Sequence, residues 1–572
     1  MPFLVQMREA EPNADERRRR AWVFVPYDRV NDSIGPLATL APQDAGLILI
    51  ESHAKGRNRP YHKKKVLVVL SNMRHFALEQ QARGVAVVYR NGPASYGEQL
   101  LAIQRELNLP SIRLATPAER ELRKDLELWQ GKGLDLTFSA DDAWLSTEAD
   151  WIAVFGDEPA AAPGDRTGRG ERQFLMERFY RHMRKQTGIL MDGPAKFIGG
   201  QLSFDADNRQ AYRGEVTVPK RPSFPPDAIT LELIEWLSHN GVPSIGTFDG
   251  FDLPVTAEDC RAYWKFALQE LLPNFGPYED AMSSREPMLF HSAISALMNV
   301  SRLLPSDVIA DVADSYDRLA LPLASAEGFI RQILGWREFM RHMHRVTDGF
   351  RTLPQHPDPP ENRAANPYSH LLVKEHNDAA PDRPATPSAL DAHRPLPPAY
   401  WGQTSGMFCL DTAAQQVMYQ GWSHHILRLM VLSNLATLCG FSPRELTDWF
   451  WVAYVDAYDW VVEPNVLGMS TFADGGLTAT KPYVSAAAYI NRMSDYCGKC
   501  SLDPRKSTGP GSCPFTALYW TFLERHQDLL GGNQRLRMPY NTLRKKSAEE
   551  REALRERSER AIAQLERGEI VD

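Results

Sequence analysis

Nowhere in the 572 residues does an apolar stretch approach the ~18 uninterrupted residues of a membrane span, and the segment from Glu9 to Arg20 is polar where a secretory leader would be apolar. A soluble, cytoplasmic protein is therefore expected. Cysteine is scarce: six in all, too few for a disulfide framework in a chain this long. No G-x-G-x-x-G fingerprint occurs, which argues against an ordinary NAD site, and no internal repeat is visible. An excess of positive charge is missing as well. With 65 Lys and Arg against 72 Asp and Glu, the net charge is −7, so any nucleic-acid contact has to come from a local basic face. What is present is 43% hydrophobic residues, enough for a large core over several domains and incompatible with disorder throughout.

Short apolar runs at 22–26, 46–50, 85–89 and 112–114 read as buried strands, alternating with helical patterns at 65–83, 96–107 and 118–129. That alternation predicts a doubly wound α/β domain over 22–155, behind a mobile basic lead over 1–21. An interdomain connection is expected over 156–240, opening with a Gly/Ala/Pro/Asp surface stretch from Gly156 to Gly170. The region 241–540 is mainly α-helical in pattern. Its clearest periodic segments are 257–272, 324–346, 413–439 and 443–460, with an earlier one at 171–187. A long Pro-, Asn-, Asp- and His-rich surface insertion is expected over 356–398. The last segment, 541–572, predicts a charged helix forming a solvated amphipathic tail.

Four of the six cysteines fall late, at Cys409, Cys497, Cys500 and Cys513. Cys497-Gly-Lys-Cys500 is flanked by Asp495, Lys499 and Asp503, which fits a core poorly and a metal site well. Spacing alone leaves structural zinc and an iron–sulfur cluster both open. Cys260 and Cys439 lie in helical patterns and read as ordinary core residues.

The segment from Gly421 to Met430 places His425 and Leu429 one turn apart, with Arg428 on a neighbouring face and Asp456 twenty-eight residues later. An adjacent histidine pair is unremarkable alone, and the aromatic cluster Trp449, Phe450, Trp451, Tyr454, Tyr458 and Trp460 reads as core. Their order carries more: Ser292 and Ser295 ahead of a helix, then Gly328-Phe-Ile-Arg-Gln-Ile-Leu-Gly-Trp-Arg-Glu-Phe339, then the His-His-Ile-Leu-Arg segment. Asn465-Val-Leu-Gly-Met-Ser470, Phe472-Ala-Asp-Gly-Gly476, Lys481-Pro-Tyr483 and Asn491-Arg-Met-Ser-Asp-Tyr-Cys497 follow. Together these motifs resemble the photolyase/cryptochrome flavoproteins, and within them the bacterial iron–sulfur branch, the prokaryotic (6-4) photolyases. The likeness is strongest over 327–520 and weakest in the first domain and the insertion.

The resemblance implies an α/β antenna domain plus a mainly helical FAD-binding catalytic domain bearing a 4Fe-4S cluster. It implies light-dependent repair of (6-4) photoproducts in UV-damaged DNA by electron transfer from photoexcited reduced FAD. Ser292, Ser295, Gln332, Arg337, Arg428, Asp456, Asp459 and Asn465 match its FAD-binding positions. His425 matches its proton donor to the lesion, where a general acid is useful because a hydroxyl must move between bases. Tyr483 and Tyr489 match tyrosines of the lesion pocket, and Trp449 and Trp401 match tryptophans that relay electrons to the flavin, with Phe450 where a relative has tyrosine. Met469 stands where other branches carry a flavin-proximal tryptophan. Cys409, Cys497, Cys500 and Cys513 match the cluster ligands. Asp28 and Glu51 match the antenna site, which in this branch holds 6,7-dimethyl-8-ribityllumazine, although Arg29, Val30 and Lys55 depart from its pattern. DNA phosphates are expected on Arg181, Arg184 and Lys185, and the protein is expected as a monomer. A cryptochrome-like photoreceptor without repair, and a light-independent cluster-bearing nucleic-acid-binding module, are the alternatives.

Overall fold

Parallel strands need both faces covered, and the N-terminal apolar runs supply residues for both. In the computed structural model, which describes residues 1–157, 173–318, 320–356 and 384–572, β1 (Ala21–Phe24), β2 (Ala45–Ser52), β3 (Ala86–Gly92), β4 (Ile112–Ala115) and β5 (Leu136–Ser139) form one parallel sheet in the order β3-β2-β1-β4-β5. All eight residues of β2 are buried. Gly46 is required there, because a Cβ would stand 2.6 Å from the Trp22 ring on the adjacent β1. β5 has no counterpart among the apolar runs, since only Leu136 of its four residues is buried.

The first twenty residues correct the expectation of a mobile lead. They fold as α1 (Pro2–Glu9) and α2 (Ala14–Arg19). Phe3 and Met7 are buried, and the Phe3 ring meets Tyr89 edge-on at 4.9 Å. Asn13 and Glu16 close a capping box on α2, and Trp22 donates its indole N–H to Arg17 O at 3.1 Å. Helices α3 (Lys63–Ala82), α4 (Tyr96–Glu106) and α5 (Arg120–Gln130) follow β2, β3 and β4, respectively.

The helical part includes α6 (Met176–Thr187), α7 (323–346), α8 (Phe408–Gln420), α9 (427–439), α10 (Pro443–Ala453), α11 (459–470), α12 (Pro514–Arg525) and α13 (Ala548–Glu566), among other helices. Two apolar cores organise it. One gathers Phe179, Phe275, Phe329, Leu334 and Phe339, the other Leu410, Leu435, Leu446, Trp449, Phe515 and Phe522. The segments 413–439 and 443–460, each periodic enough to predict one helix, are both broken. Gly421 ends α8 in the left-handed region (φ 67°), where a Cβ would also meet Val455 at 2.8 Å. α10 ends at Ala453, and Tyr454 turns extended. These interruptions release Trp422 to His424 and Tyr454 to Asp456 from helical register.

The C-terminal helix is not a solvated tail. Ala561, Ile562 and Leu565 of α13 are buried in the core that holds α12, Leu554 is buried as well, and Arg557 is 2% exposed, donating to Ser512 Oγ at 2.9 Å and Ser512 O at 2.8 Å. Most of the expected surface stretch from Gly156 to Gly170 and of the insertion at 356–398 lies outside the described residues.

Candidate flavin and lesion cavity

Between the two helical cores lies a cavity of about 330 Å³. Three of the helices around it widen into π turns where they meet it: Arg331–Arg337 in α7, Leu427–Ser433 in α9 and Pro464–Ser470 in α11. Each π turn adds a residue to the helical circuit and shifts the side-chain register, a feature common at functional sites. Gln332, Trp336 and Arg337 reach the cavity from the first, Arg428 and Leu429 from the second, Asn465 and Met469 from the third. Continuous apolar periodicity concealed these bulges from sequence reading.

Ser292, Ser295, Asp456 and His425 also line it. Arg428 and Asp456 pair bidentately, Nη1 to Oδ1 at 3.1 Å and Nη2 to Oδ2 at 2.8 Å, while Arg428 Nε donates to Ser423 O at 2.8 Å. Burial opposes the Arg428 charge, but Asp456 outweighs it and holds the guanidinium above its ordinary pKa. Ser295 donates to Asp456 Oδ2 at 2.7 Å, so its hydroxyl buttresses the ion pair. Arg337 is flanked by the rings of Trp144 and Trp460 at 4.4 and 4.7 Å; burial pushes it down to about 10, and its Nε and Nη1 have no partner. Gln332 donates to Glu279 at 2.7 Å, and Asn465 to Val461 O at 2.7 Å.

Asp459 is the exception among the expected flavin residues. Its carboxylate accepts the Arg120 backbone N–H at 2.6 Å and that of Glu121 at 3.4 Å, capping the start of α5 instead of facing the cavity. Burial pushes it up to about 7. It joins the α/β domain to the helical part, and that placement corrects its assignment to the flavin.

At the cavity mouth His425 is 43% exposed by its side chain, with Nε2 3.5 Å from Asp280 Oδ1. Asp280 Oδ2 accepts the Tyr489 hydroxyl at 3.3 Å, so one carboxylate links two of the expected catalytic residues. Asp280 carried no sequence signal. Tyr483 packs nearby, its phenol raised by burial and Asp205 and lowered by Arg535 and Arg209. Burial, then Arg535 and Arg209, depress Lys481. Arg209 itself pairs with Asp205 and, at 3.7 Å, with Asp280, so Lys481 and Arg535 are the cations near Tyr483 that these carboxylates leave unmatched, whereas the sequence reading sought a basic face on α6. There, Arg184 is fully buried, its guanidinium spent on the carbonyls of Ile189, Leu190 and Leu202, which corrects its assignment to DNA. Arg181 pairs with Glu177 at 3.2 Å, and Lys185 is exposed.

Trp449 is fully buried and donates its indole N–H to Tyr400 O at 2.9 Å. Its ring stands 5.0 Å from Phe450 and 5.8 Å from Tyr454, both of which line the cavity, and 5.3 Å from Tyr400, next to the buried Trp401. Phe450 and Tyr454 stack at 5.1 Å. Aromatic rings therefore run without a gap from Tyr400 to the cavity wall.

The four late cysteines come together from three segments: Cys409 in the first turn of α8, Cys497 and Cys500 in the loop before α12, and Cys513 as the residue capping α12. Burial first, then Cys513, Cys497 and Cys500, push the Cys409 thiol well up; Cys497 rises to about 11 and Cys513 to about 12. Mutually raised thiols are the condition that a bound cation reverses. Cys260 and Cys439 are single buried thiols within helices.

A second pocket, about 100 Å³, sits at the carboxyl ends of the strands. Tyr27 follows β1, Ser52 ends β2, Tyr96 follows β3 and Glu119 follows β4; Lys65 and Trp451 close the far side. Doubly wound sheets place ligands at this edge. Glu51 lines the pocket, but its oxygens are occupied by Arg74, Tyr89 and Asn91. Asp28 lies behind Arg29 at 3.0 Å with Oδ1 unpartnered, and burial pushes it up to about 6. The Tyr61 and Tyr458 hydroxyls are likewise buried without partners.

Residues 23–253 match the family model described as deoxyribodipyrimidine photo-lyase-related protein. Over 554 residues the chain is 34% identical to a (6-4) photolyase of Agrobacterium fabrum, covering 95% of this chain and 99% of that one. Among solved structures, a bacterial class III photolyase from Agrobacterium tumefaciens aligns with a TM-score of 0.50 at 14% identity, over 96% of this chain and 98% of that one. A Synechocystis cryptochrome aligns with a TM-score of 0.52, also at 14% identity, over 94% and 93%. The two structures show the fold alone.

Proposed function

Because this chain belongs to the photolyase-related protein family, we propose that its cavity holds FAD and that the protein is a light-dependent (6-4) DNA photolyase. The observation that carries this reading is the linked set at the mouth, His425, Asp280 and Tyr489, above a cavity walled by the Arg428–Asp456 pair. The wall fits the cofactor: Arg337 Nε and Nη1 and the Trp422 indole N–H are buried there without partners, suited to oxygen and nitrogen atoms of a polar heterocycle. FAD in its reduced form, when photoexcited, supplies the electron that opens the lesion.

The remaining work falls to the chain. Arg428, fixed by Asp456, keeps a permanent cation beside the cavity and favours negative charge there. His425 reaches the solvent side, where it can give a proton to the leaving oxygen of the lesion while Asp280 orients its ring. Tyr483 and Tyr489 offer rings for a flipped base, and Lys481 and Arg535 offer charge to flanking phosphates. Trp449 and Trp401, with Tyr400 between them and the cavity-lining Phe450 and Tyr454, form the route by which electrons reach the flavin.

We assign a 4Fe-4S cluster to Cys409, Cys497, Cys500 and Cys513. Among the described residues no three of these sulfurs lie within 4.8 Å of one another, whereas zinc–sulfur bonds near 2.3 Å would bring them to about 3.8 Å. The pocket at the sheet edge is our site for a 6,7-dimethyl-8-ribityllumazine antenna, with the Tyr61 and Tyr458 hydroxyls as its open polar groups, Glu51 as a structural residue, and Asp28 buried outside the lining. Among the described residues, no helix is long and apolar enough to cross a membrane. We place the protein in the cytoplasm as a monomer.

The deciding experiment incubates the chemically reduced protein with an oligonucleotide containing one (6-4) lesion, in blue light and in darkness, and separates the products by chromatography. Light-dependent restoration of the two pyrimidines is expected. No restoration by protein holding reduced FAD would favour a photoreceptor.

A further inference from the structure

Two buried side chains that border the four late cysteines hold donors with nothing to bond. Tyr496, next to Cys497, is fully buried, and its hydroxyl has no hydrogen-bond partner. Its ring packs against Phe408, next to Cys409, with centroids 6.1 Å apart. Arg557 comes to the same place from α13. Its Nε donates to Ser512 Oγ and its Nη2 to Ser512 O, which fastens the guanidinium to the residue before Cys513, while Nη1 is buried and bonds nothing. Nη2 also donates to Asp572 O at 2.7 Å, but the Asp572 side chain is turned to Arg560, 3.6 Å away, and among the described residues no side-chain carboxylate pairs with Arg557. Buried polar atoms are nearly always bonded, and these two orphans, sixty residues apart in the chain, sit beside one set of thiols.

The fold holds both in place. α13 and the residues after it form a strap across two of the cysteine-bearing segments. The Val571 N–H donates to Ser405 O at 2.8 Å and Gln403 Nε2 to Gly568 O at 2.7 Å, so the strap crosses the run that leads into Cys409. Gly406 makes that crossing possible: it stands at φ 81°, and a Cβ there would meet Ile570 at 2.8 Å. At the other end Arg557 fastens the loop that ends in Cys513. Burial raises the Cys513 thiol, and the Phe515 N–H and Arg557 act against that rise.

We infer that the Tyr496 hydroxyl and Arg557 Nη1 donate to sulfur atoms of the centre held by Cys409, Cys497, Cys500 and Cys513, and that they raise its reduction potential. Sulfur in thiolate or sulfide form accepts hydrogen bonds, which is what both orphans lack. A four-thiolate iron–sulfur centre is anionic, and an added electron increases its negative charge by one, with no bond broken and no proton moved. Donors and a cation beside its sulfurs therefore favour the reduced form over the oxidised one. The competing reading makes Arg557 a bolt for α13, with Nη1 idle. It predicts lower stability on substitution and an unmoved potential.

This inference rests on the 4Fe-4S assignment above, so iron and acid-labile sulfide are measured first in the full-length wild-type protein. Zinc in place of iron would sink that assignment and the inference with it; a cluster that is present but indifferent to both side chains would sink the inference alone. The potential is then read by titration with dithionite, following the paramagnetic reduced cluster by low-temperature EPR, to which fully reduced FAD is silent. The iron–sulfur stretches of the oxidised centre are read by resonance Raman.

Arg557→Gln should lower the ratio of reduced to oxidised cluster at a fixed poise about tenfold, a shift of about 59 mV for one electron, and Tyr496→Phe about threefold. Arg557→Lys, which keeps the charge and loses the planar fork, should fall between Gln and wild type. The Gln and Phe variants should both move the iron–sulfur stretches upward, because a thiolate–iron bond strengthens when its sulfur loses a hydrogen bond. Ratios within about twofold of wild type and unmoved stretches in both variants would overturn the inference, as would a Lys variant as impaired as Gln. If Arg557→Gln does not fold or purifies without iron, Tyr496→Phe, which removes an oxygen that bonds nothing in the fold, is read by the same measurements and thresholds. If dithionite leaves the wild-type cluster oxidised, the stretches decide.

Discussion

The cavity between the helical cores and the pocket at the sheet edge differ in how their polar groups are settled. At the sheet edge the charges are matched internally: Lys55 bonds Glu119 and Glu121 at 2.7 and 2.6 Å, and Glu51 is enclosed by Arg74, Tyr89 and Asn91. What remains open there includes the Tyr61 and Tyr458 phenols. In the cavity a guanidinium, two imidazoles and an indole are left with unmet nitrogens, and the backbone around them is bulged or left-handed. The difference teaches that the sheet pocket folds without a ligand at little cost, whereas the cavity carries groups whose bonding is incomplete until something enters. An empty sheet pocket should therefore leave the protein stable, and an empty cavity should not.

Five measurements bear on this contrast, and the largest effect belongs to the cavity. Arg428→Ala leaves Asp456 buried and unpaired, a change expected to cost about 3–5 kcal/mol, and the purified variant is expected to lose FAD by absorbance. Next, His425→Ala should lower (6-4) repair on the order of 10²–10⁴-fold while retaining FAD, as expected for removal of a general acid. Wild-type repair rates in that variant would remove His425 from the mechanism. Trp449→Phe should slow photoreduction of oxidised flavin but spare repair by chemically pre-reduced protein; unchanged photoreduction would mean a route that bypasses Trp449.

Asp459 tests the joint between the regions through pH. Its pKa in the fold, about 7, lies above the ordinary aspartate value near 3.9, so the folded state holds this proton more tightly than the unfolded chain does. The stability it contributes is full below about pH 4 and is lost as pH rises through about 7. Asp459→Asn should flatten the fall in Tm between about pH 4 and pH 7, and an unaltered fall would assign it to other groups. The smallest effect belongs to the sheet edge. Val66→Trp, which fills that pocket, should abolish copurification of lumazine, read by fluorescence of extracted small molecules, while FAD content and Tm change little. Loss of FAD in this variant would show that the two regions are coupled after all.

Much of the site was legible in the chain because its chemistry is tied to local motifs. Arg428 and Asp456 were paired in the sequence reading and are paired in space, and the four late cysteines converge. Legibility failed where the decisive contact is long-range. Asp459 carries the same carboxylate as Asp456 three residues earlier, yet the start of α5, more than three hundred residues away, claims it. Arg184 shares a helix with exposed Arg181 and Lys185, and only folding places it beneath three carbonyls. Asp280 and His291 lie outside every motif; positive backbone angles on either side of His291 could not be foreseen, because Leu289 and Ala293 have no local preference for them.

What the sequence by itself determined are the local quantities: the strand runs β1 to β4, the amphipathic stretches that became helices, and the spacing of cysteines, histidines and arginines, all of which follow from side-chain periodicity and nearest-neighbour chemistry. What only the tertiary structure decided is where periodic helices break or widen, which of several equal charges is buried, and which polar atoms remain unmet. These depend on the packing of segments far apart in the chain, where the cost of a bulge or an orphaned nitrogen is offset by contacts that no local window contains.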